Sequence, residues 1–299
     1  MGRILVTGAT GFLGSAVVEL AVHQGRDVRV AVRDAARARA LLPAGVEVLV
    51  ADLADPAALT AAARGCTGLV HLAGTVAGSA EQMRRVNVEG TAHVLAAAAA
   101  AGVARVVGTG SSAAVMDADG LVAEDPVAPP ALTDPYSTSK AEAERLVLAA
   151  GGVVASPVSV YGPSPVGPLS YNGLLLAAAR GEVRTVVDAT VGWVLAEDAA
   201  AGHLLALDGG EPGRRYVLCG ETASFGRVLH AFAGLVGGRR VEVLPPGSSL
   251  GDDAGTFARR SEVYGRFPPV RVDDRGARAL GLAPRGVDEG LALTARRLG

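Results

Sequence analysis

Short apolar runs alternate with amphipathic segments through the first half of the chain. The apolar runs predict strands at 4–6, 28–32, 46–50, 69–72, 105–107 and 152–155. The amphipathic segments predict helices at 12–24, 35–42, 56–63, 82–101 and 139–149. Strands that alternate with helices of this length indicate right-handed crossovers and a parallel sheet with helices on both faces. We therefore predict an α/β protein with a doubly wound, Rossmann-type sheet.

After residue 160 the elements become shorter and more mixed. A Pro/Gly-rich loop at 161–168 interrupts regular structure. Further strands are predicted at 183–187, 191–195, 215–218 and 241–244, and further helices at 174–180, 199–207, 225–236, 273–280 and 287–297. We predict a nucleotide-binding domain over 1–160, with sheet and helix returns near 190–220. A smaller C-terminal α/β lobe, residues 161–189 and 220–299, would bind substrate.

The first predicted strand leads directly into a glycine-rich turn with Gly8, Gly11 and Gly14. In a strand–turn–helix unit, the first glycine allows a tight turn and the second lets the backbone approach a pyrophosphate. The third lets helix and strand pack closely. A glycine triplet also occurs in ordinary loops, but its place between a strand and a helix favours a dinucleotide site.

Residues after the second and third strands bear on the choice of dinucleotide. Arg33 ends the second strand and Arg37 follows one turn later. Arginines there pair with the 2′-phosphate of NADP, whereas a carboxylate such as Asp34 would bind the ribose hydroxyls of NAD. We predict NADP(H) in preference to NAD(H). Asp52 is placed to hydrogen-bond an adenine amino group, with a helix-capping role as the alternative.

Tyr136 and Lys140 lie four residues apart at the start of a predicted helix, so both lie on one face. A free tyrosine has a pKa of about 10. A neighbouring ammonium favours the phenolate and brings that pKa towards the working range of a proton donor or acceptor. Ser112, just beyond the fifth strand, could hydrogen-bond a substrate carbonyl oxygen.

Composition narrows the classes of protein. Hydrophobic residues make up 49% and charged residues 19%, which is typical of a globular chain. The net charge of -2 gives no reason to expect nucleic acid or a membrane surface as a partner. Two distant cysteines and five scattered histidines show no ligand spacing, so we predict no metal site. No signal peptide or membrane-spanning run is apparent, which favours the cytoplasm.

Together these motifs resemble the extended short-chain dehydrogenase/reductase family, within the NAD-dependent epimerase/dehydratase superfamily. The matching segments cover nearly the whole chain: 7–14 (TGxxGxxG), Asp52-Leu53, 71–74, 87–91, 111–115, 136–140 (YxxxK), Pro157, 160–163 and 193–200. The resemblance implies hydride transfer between a nicotinamide and a carbonyl or carbinol carbon. Ser112, Tyr136, Lys140 and Asn87 would be the catalytic residues, with Asn87 holding its helix and a proton-relay water.

The same resemblance, with the glycine and arginine patterns, assigns the cofactor contacts. They are Gly8, Thr10, Gly11, Phe12, Leu13, Gly14, Arg33, Arg37, Asp52, Leu53, Leu72, Ala73, Gly74, Tyr136, Lys140, Pro157 and Val160. Ser112, Met116, Tyr171 and Trp193 are the candidate substrate residues.

Two departures bear on the branch of the family. Ala113 and Ala114 stand where nucleotide-sugar dehydratases carry an acidic pair, and Ala155-Ser156-Pro157 lacks the Arg-Pro usual in sugar epimerases. With Arg33, these departures look more like the dihydroflavonol-reductase-like branch. We predict an NADPH-dependent ketoreductase acting on a small-molecule ketone or aldehyde, with secondary metabolism as one candidate setting.

Two alternatives stay open: a nucleotide-sugar epimerase with tightly bound NAD, and a non-catalytic NADP-binding regulator. The later arginines Arg227, Arg259 and Arg260 neither establish nor exclude a pyrophosphate site. A homodimer through the helices that carry Asn87 and Tyr136 is compatible with the sequence, as is a monomer.

Overall fold

A seven-stranded parallel sheet forms the centre of the protein in a computed structural model that describes residues 2–167, 169–251 and 254–298. The strands in chain order are β1 (Ile4–Thr7), β2 (Val28–Val32), β3 (Glu47–Val50), β4 (Gly68–His71), β5 (Arg105–Thr109), β6 (Leu121–Ala123), β7 (Val153–Pro157), β8 (Ser159–Tyr161), β9 (Thr185–Val187), β10 (Thr190–Leu195), β11 (Arg215–Leu218), β12 (Glu221–Ser224), β13 (Glu242–Leu244) and β14 (Arg271–Asp273). The order in the central sheet is β11-β7-β5-β4-β1-β2-β3. The predicted doubly wound α/β class is therefore confirmed.

Helices cover both faces of this sheet. In chain order they are α1 (Phe12–His23), α2 (Ala35–Leu41), α3 (Pro56–Ala63), α4 (Ala80–Arg84), α5 (Gly90–Ala100), α6 (Pro135–Ala149), α7 (Tyr171–Arg180), α8 (Ala196–Gly209), α9 (Phe225–Val236), α10 (Thr256–Tyr264), α11 (Arg275–Ala279) and α12 (Val287–Leu298). None of the helices in the described part of the chain is long and apolar enough to cross a membrane.

The all-apolar strands are explained by burial on both faces. Successive side chains of a strand point to opposite faces, so Leu5 and Val6 of β1 enter two different cores. Val6 packs on the face covered by α1 and α8, whereas Leu5 packs on the face covered by α3 and α5. A short apolar run without alternation is what this double coverage requires.

The chain reverses direction across the sheet at β1. It runs outward through β2 and β3, then crosses to β4 and continues through β5, β7 and β11 on the other side. Ligands of such sheets bind outside the carboxyl ends of the strands at this switch point. The β1 and β4 ends therefore mark the expected binding cleft.

Smaller sheets build the rest of the protein. Strands β8, β10 and β12 form one sheet, and β9 pairs with β13 and β6 with β14. Trp193 of β10 packs edge-on against Tyr171 and Phe225, with ring centroids 5.1 and 5.3 Å away. The division into two lobes at residue 160 remains a prediction.

Several predicted bounds differ from the structure. The single helix predicted at 82–101 is three segments, because a π-helical turn at Arg85–Glu89 separates α4 from α5. The helix predicted from residue 139 begins at Pro135, since the Asp134 carboxylate caps it by accepting the Ser137 amide at 3.2 Å. The short strands β6, β8, β12 and β14 and helix α10 were not predicted.

Candidate functional site

The glycine turn after β1 is closed by backbone contacts that admit no side chain. Gly8 has a φ of +72°, and a Cβ there would overlap the backbone of Ala73 after β4. A Cβ on Gly14 would collide with the Gly8 carbonyl oxygen. Gly11 donates its amide to that same oxygen at 3.0 Å. The turn therefore brings the start of α1 against the ends of β1 and β4.

A cavity of about 980 Å³ opens above this turn. It is lined by many of the predicted cofactor residues: Gly8, Thr10, Gly11, Arg33, Arg37, Asp52, Leu53, Leu72, Ala73 and Gly74. Gly14 is absent from the lining described, since it packs beneath the turn. The glycine cradle and the elongated cleft at the switch point fit a dinucleotide whose pyrophosphate meets the α1 amides.

Charged residues after β2 line the far end of this cavity. Arg33 and Arg37 are both exposed and both line this cavity. The Asp34 carboxylate instead caps α2 by accepting the Arg37 amide at 2.9 Å. Arg85 of the π-helical turn also lines the cavity and was not predicted. Asp52 holds its own turn, accepting the Ala54 amide at 2.8 Å.

A second cavity of about 560 Å³ continues from the first. Leu72, Gly74 and Thr75 line both cavities, which makes them one continuous cleft. The remaining predicted cofactor residues lie along the second cavity: Phe12, Leu13, Tyr136, Lys140, Pro157 and Val160. The cleft therefore leads from the arginines at β2 to the Tyr136–Lys140 pair.

Lys140 is anchored at the inner end of this second cavity. Its Nζ donates to the Thr109 carbonyl oxygen at 2.5 Å. Burial lowers the pKa of Lys140, while the nearby Glu144 carboxylate opposes that shift. The ammonium is thereby fixed on the same helical face as Tyr136.

Opposing effects act on the pKa of the Tyr136 phenol. Burial raises its pKa, whereas a hydrogen bond with the Ser111 side chain and the Arg260 charge act to lower it. The net shift is upward, so the phenol carries its proton near neutral pH. This is the form that a proton donor needs.

Ser111 is a second candidate beside the predicted Ser112 for the serine that acts with Tyr136. Both Ser111 and Ser112 line the second cavity with Tyr136, and the Ser111 side chain acts to lower the pKa of the phenol. Ser112 begins a short 3₁₀ turn (Ser112–Ala114), and Ser111 caps that turn. Two adjacent serines cannot be told apart by motif alone, because the turn decides which hydroxyl faces the phenol.

A buried carboxylate fixes the position of Ser111. Glu144 is 2% exposed, and its Oε1 accepts the Ser111 amide at 2.8 Å. Its other oxygen accepts from Arg215 Nε at 2.8 Å, in a largely buried ion pair. Sequence reasoning missed Glu144, although it lies one turn after Lys140 on α6.

Asn87 joins two segments of the protein by hydrogen bonds and does not form part of the described cavity wall. Its amide nitrogen donates to the Thr75 carbonyl and to Ser139 Oγ, both at 3.0 Å, and its oxygen accepts the Thr75 amide at 2.8 Å. The side chain is 2% exposed and is not among the described residues that line either cavity. Asn87 therefore ties α6 to the loop after β4, and its predicted part in holding the helix and a proton-relay water stays a prediction.

Two of the predicted substrate residues are core residues. Met116 is 0% exposed and Trp193 is 1% exposed, with the indole N–H donating to the Ala223 carbonyl at 3.0 Å. Tyr171 does line the second cavity, as predicted. The opposite wall comes from Phe257, Arg260 and Tyr264 of α10, which the sequence reading missed. The signal was the helical spacing of Phe257, Ala258 and Tyr264, with the small Ser261 between them.

Two buried histidines lie behind the cleft. His71 bridges Thr7 Oγ1 at 2.7 Å and Thr91 Oγ1 at 3.0 Å. Burial, with a contribution from the Lys140 charge, lowers its pKa to about 3. Burial likewise lowers the pKa of His203, which contacts Thr109 Oγ1, to about 4. Both rings are thus neutral and structural, and the described residues hold no group of three or more His, Cys, Asp or Glu side chains arranged for a metal ion.

Comparison with known proteins agrees with this geometry. The model of the NAD dependent epimerase/dehydratase family matches residues 4–219, so the chain belongs to that family. It is 34% identical over 247 residues to "Putative dihydroflavonol 4-reductase" of Synechocystis, covering 78% of this chain and 72% of that protein. It is 32% identical over 250 residues to cinnamoyl-CoA reductase 1 of Petunia hybrida, covering 76% of this chain and 73% of that protein.

A solved structure shows the same architecture over the full length. MoeE5 in complex with UDP-glucuronic acid and NAD superposes with a TM-score of 0.78 at 27% identity, covering 99% of this chain and 98% of that chain. The family and these relatives place the chain among enzymes that use a nicotinamide cofactor. The likenesses include both reductases and a sugar-nucleotide protein.

Proposed function

We propose that this protein is an NADPH-dependent reductase of ketones or aldehydes. The observation that carries the proposal is the arrangement of Ser111, Tyr136 and Lys140 on the wall of a mostly apolar cavity. That cavity is continuous with a cleft whose far end exposes Arg33 and Arg37. The two reductase relatives support the same reading.

The cofactor would lie along the continuous cleft. The α1 amides after Gly11 would meet the pyrophosphate, and Arg33 and Arg37 would pair with the 2′-phosphate. Lys140 would bind the nicotinamide ribose, within reach of Tyr136. The nicotinamide supplies the hydride for the carbonyl carbon.

The chain's own residues manage the oxygen and its proton. Ser111 orients the carbonyl oxygen by hydrogen bonding, with its backbone held by Glu144. Tyr136 donates its proton to that oxygen as negative charge develops, and the Lys140 ammonium favours the resulting phenolate. General acid catalysis of this kind contributes roughly 10²–10⁴-fold.

A sugar-nucleotide epimerase with retained NAD is the second candidate, favoured by the likeness to MoeE5. A dehydratase is disfavoured, because Ala113 and Ala114 are buried and supply no carboxylate beside the catalytic tyrosine. The reductase reading predicts a cofactor that dissociates, whereas the epimerase reading predicts one that stays bound through purification.

Calorimetry with NADPH and NADH, on protein first checked for bound nucleotide, separates these candidates. We expect NADPH to bind at least tenfold more tightly, and Arg33→Ser to remove most of that preference while leaving NADH binding unchanged. Arg64→Ser, on the exposed surface outside the described lining of either cavity, is the matched control. Tightly retained NAD, or equal affinities, would favour the epimerase.

A further inference from the structure

An arginine of the C-terminal region reaches the second cavity beside the catalytic tyrosine. Arg260 of α10 lines the cavity, and its guanidinium carbon lies 5.5 Å from the centroid of the Tyr136 ring. The side chain is 20% exposed. It belongs to the lobe predicted to bind substrate and lies beside the predicted catalytic tyrosine, which makes it a candidate substrate contact.

The hydrogen-bonding capacity of Arg260 is largely unused. A guanidinium has five N–H donors. Within residues 2–167, 169–251 and 254–298, no acceptor forms a hydrogen bond with it, and its one ion pair joins Nη1 to Asp134 Oδ2 at 3.5 Å. The side chain is partly exposed, so these donors are free to bind an acceptor on a molecule that enters the cavity.

The charges around the cavity favour an anion. Lys140 and Arg260 are cationic, and the described residues that line the cavity include no carboxylate. Lys140 already donates to the Thr109 carbonyl and would serve the cofactor ribose. Arg260 is therefore the cation left for the substrate. A single guanidinium, partly balanced by Asp134, matches one negative charge rather than the larger charge of a diphosphate.

The walls around Arg260 are aromatic. The rings of Tyr171 and Phe257 stack at a tilt with centroids 4.9 Å apart, and Tyr264 lies along the same wall. Such walls bind an apolar or aromatic body, while a planar guanidinium binds a carboxylate through two parallel hydrogen bonds.

We propose that Arg260 is a specificity-determining residue that binds a carboxylate of the substrate. The preferred substrates are then carbonyl compounds with an apolar body and one carboxylate. This inference rests on the proposed reductase function for the identity of the reacting group. The carboxylate contact itself is independent of that function.

Matched acid and ester probes test this contact. The probes are the ortho, meta and para isomers of formylbenzoate and their methyl esters, reduced with NADPH by the full-length protein. For the best isomer we expect kcat/KM to favour the acid over its ester. Arg260→Gln should lower kcat/KM for the acid about ten- to a hundredfold, which is the range for charge-assisted hydrogen bonds. It should change kcat/KM for the ester by less than about threefold. Arg260→Lys should restore part of the loss, since it keeps the charge.

The controls separate other roles of Arg260. Arg259→Gln lies on the same helix but outside the described cavity lining, so it should leave kcat/KM unchanged for both the acid and the ester. An equal loss for acid and ester in Arg260→Gln, with a shifted pH profile, would show that Arg260 acts through Tyr136 and would overturn the inference. Equal kcat/KM for acid and ester in the unaltered protein would overturn it as well.

Binding gives a second readout that needs no turnover. Calorimetric titration of para-hydroxymethylbenzoate and its methyl ester into the NADPH-loaded protein, with which an alcohol cannot react, should show tighter binding of the acid, lost in Arg260→Gln. If no aldehyde is reduced but this Arg260-dependent binding appears, the carboxylate contact stands and the reductase proposal fails. If aldehydes are reduced but the acid is preferred neither in rate nor in binding, the reductase proposal stands and the carboxylate contact fails.

Discussion

Replacing Ser111 or Ser112 by alanine separates two adjacent hydroxyls that the sequence does not distinguish. Ser111 is 8% exposed and its side chain acts to lower the pKa of Tyr136, whereas Ser112 lines the same cavity and has no such effect on that pKa. Removing one preorganised donor to a developing oxyanion typically costs about 10²–10³ in kcat. We expect a loss of that size for Ser111→Ala and less than about threefold for Ser112→Ala.

The pH profile adds an independent measure of the same contact. The Ser111 hydrogen bond lowers the pKa of Tyr136, so its removal should raise that pKa. A hydrogen bond worth about 1 kcal/mol corresponds to somewhat under one pH unit. The alkaline limb of the kcat/KM profile for carbonyl reduction should move up by about that amount in Ser111→Ala.

The assay is steady-state NADPH oxidation with one aldehyde across the pH range, alongside calorimetric NADPH binding. Both variants should bind NADPH like the unaltered protein. A large loss in Ser112→Ala with a small loss in Ser111→Ala would refute the geometry on which the proposed mechanism depends.

Three further predictions concern the cofactor turn, the buried ion pair and a buried histidine. Gly14→Ala should abolish NADPH binding and destabilise the fold by about 1–3 kcal/mol or more, because the new Cβ collides with the Gly8 carbonyl. Gly234→Ala, whose Cβ meets nothing within 4 Å on the exposed side of α9, should instead raise the stability by up to about 1 kcal/mol, and a loss equal to that of Gly14→Ala would contradict the packing argument. Glu144→Gln should lower kcat more than it changes KM, since it loosens Ser111 and leaves the Arg215 charge unpaired; an unchanged kcat would show that this network does not position the serine. His71 is neutral in the fold with a pKa of about 3, while an unfolded histidine takes up a proton below about 6.5. The contribution of His71 to the free energy of unfolding is therefore full above pH 6.5. It declines as the pH falls and is about 2 kcal/mol smaller at pH 5. Urea unfolding at pH 8 and pH 5 should show a smaller pH dependence in His71→Gln, and an identical dependence would contradict the shift.

The fold could be predicted from the sequence because each layer leaves a local pattern. Unbroken apolar runs such as 28–32 indicate strands buried on both faces, and the glycine spacing after β1 reports backbone contacts that exclude a Cβ. The short strands β6, β8, β12 and β14 leave weaker patterns, since three or four residues show little periodicity. Their pairing depends on partners distant in the chain.

The site was predictable only where a motif fixes the geometry. The Tyr136–Lys140 spacing needs nothing more than a helix, and both side chains lie on the cavity wall. The choice between Ser111 and Ser112 depends on a turn, and burial of Met116 and Trp193 depends on packing between distant segments. Those tertiary effects carry no local signature.

Transfer of deuterium from the nicotinamide to the product is the most direct test of the central claim. The protein is incubated with an aldehyde and NADPH that carries deuterium at both hydrogens of nicotinamide C4. The product alcohol is then examined by mass spectrometry. The account predicts one deuterium on the carbinol carbon. It also predicts that Tyr136→Phe binds NADPH normally and loses roughly 10²–10⁴-fold in rate. Alcohol without deuterium, or full activity in Tyr136→Phe, would contradict it.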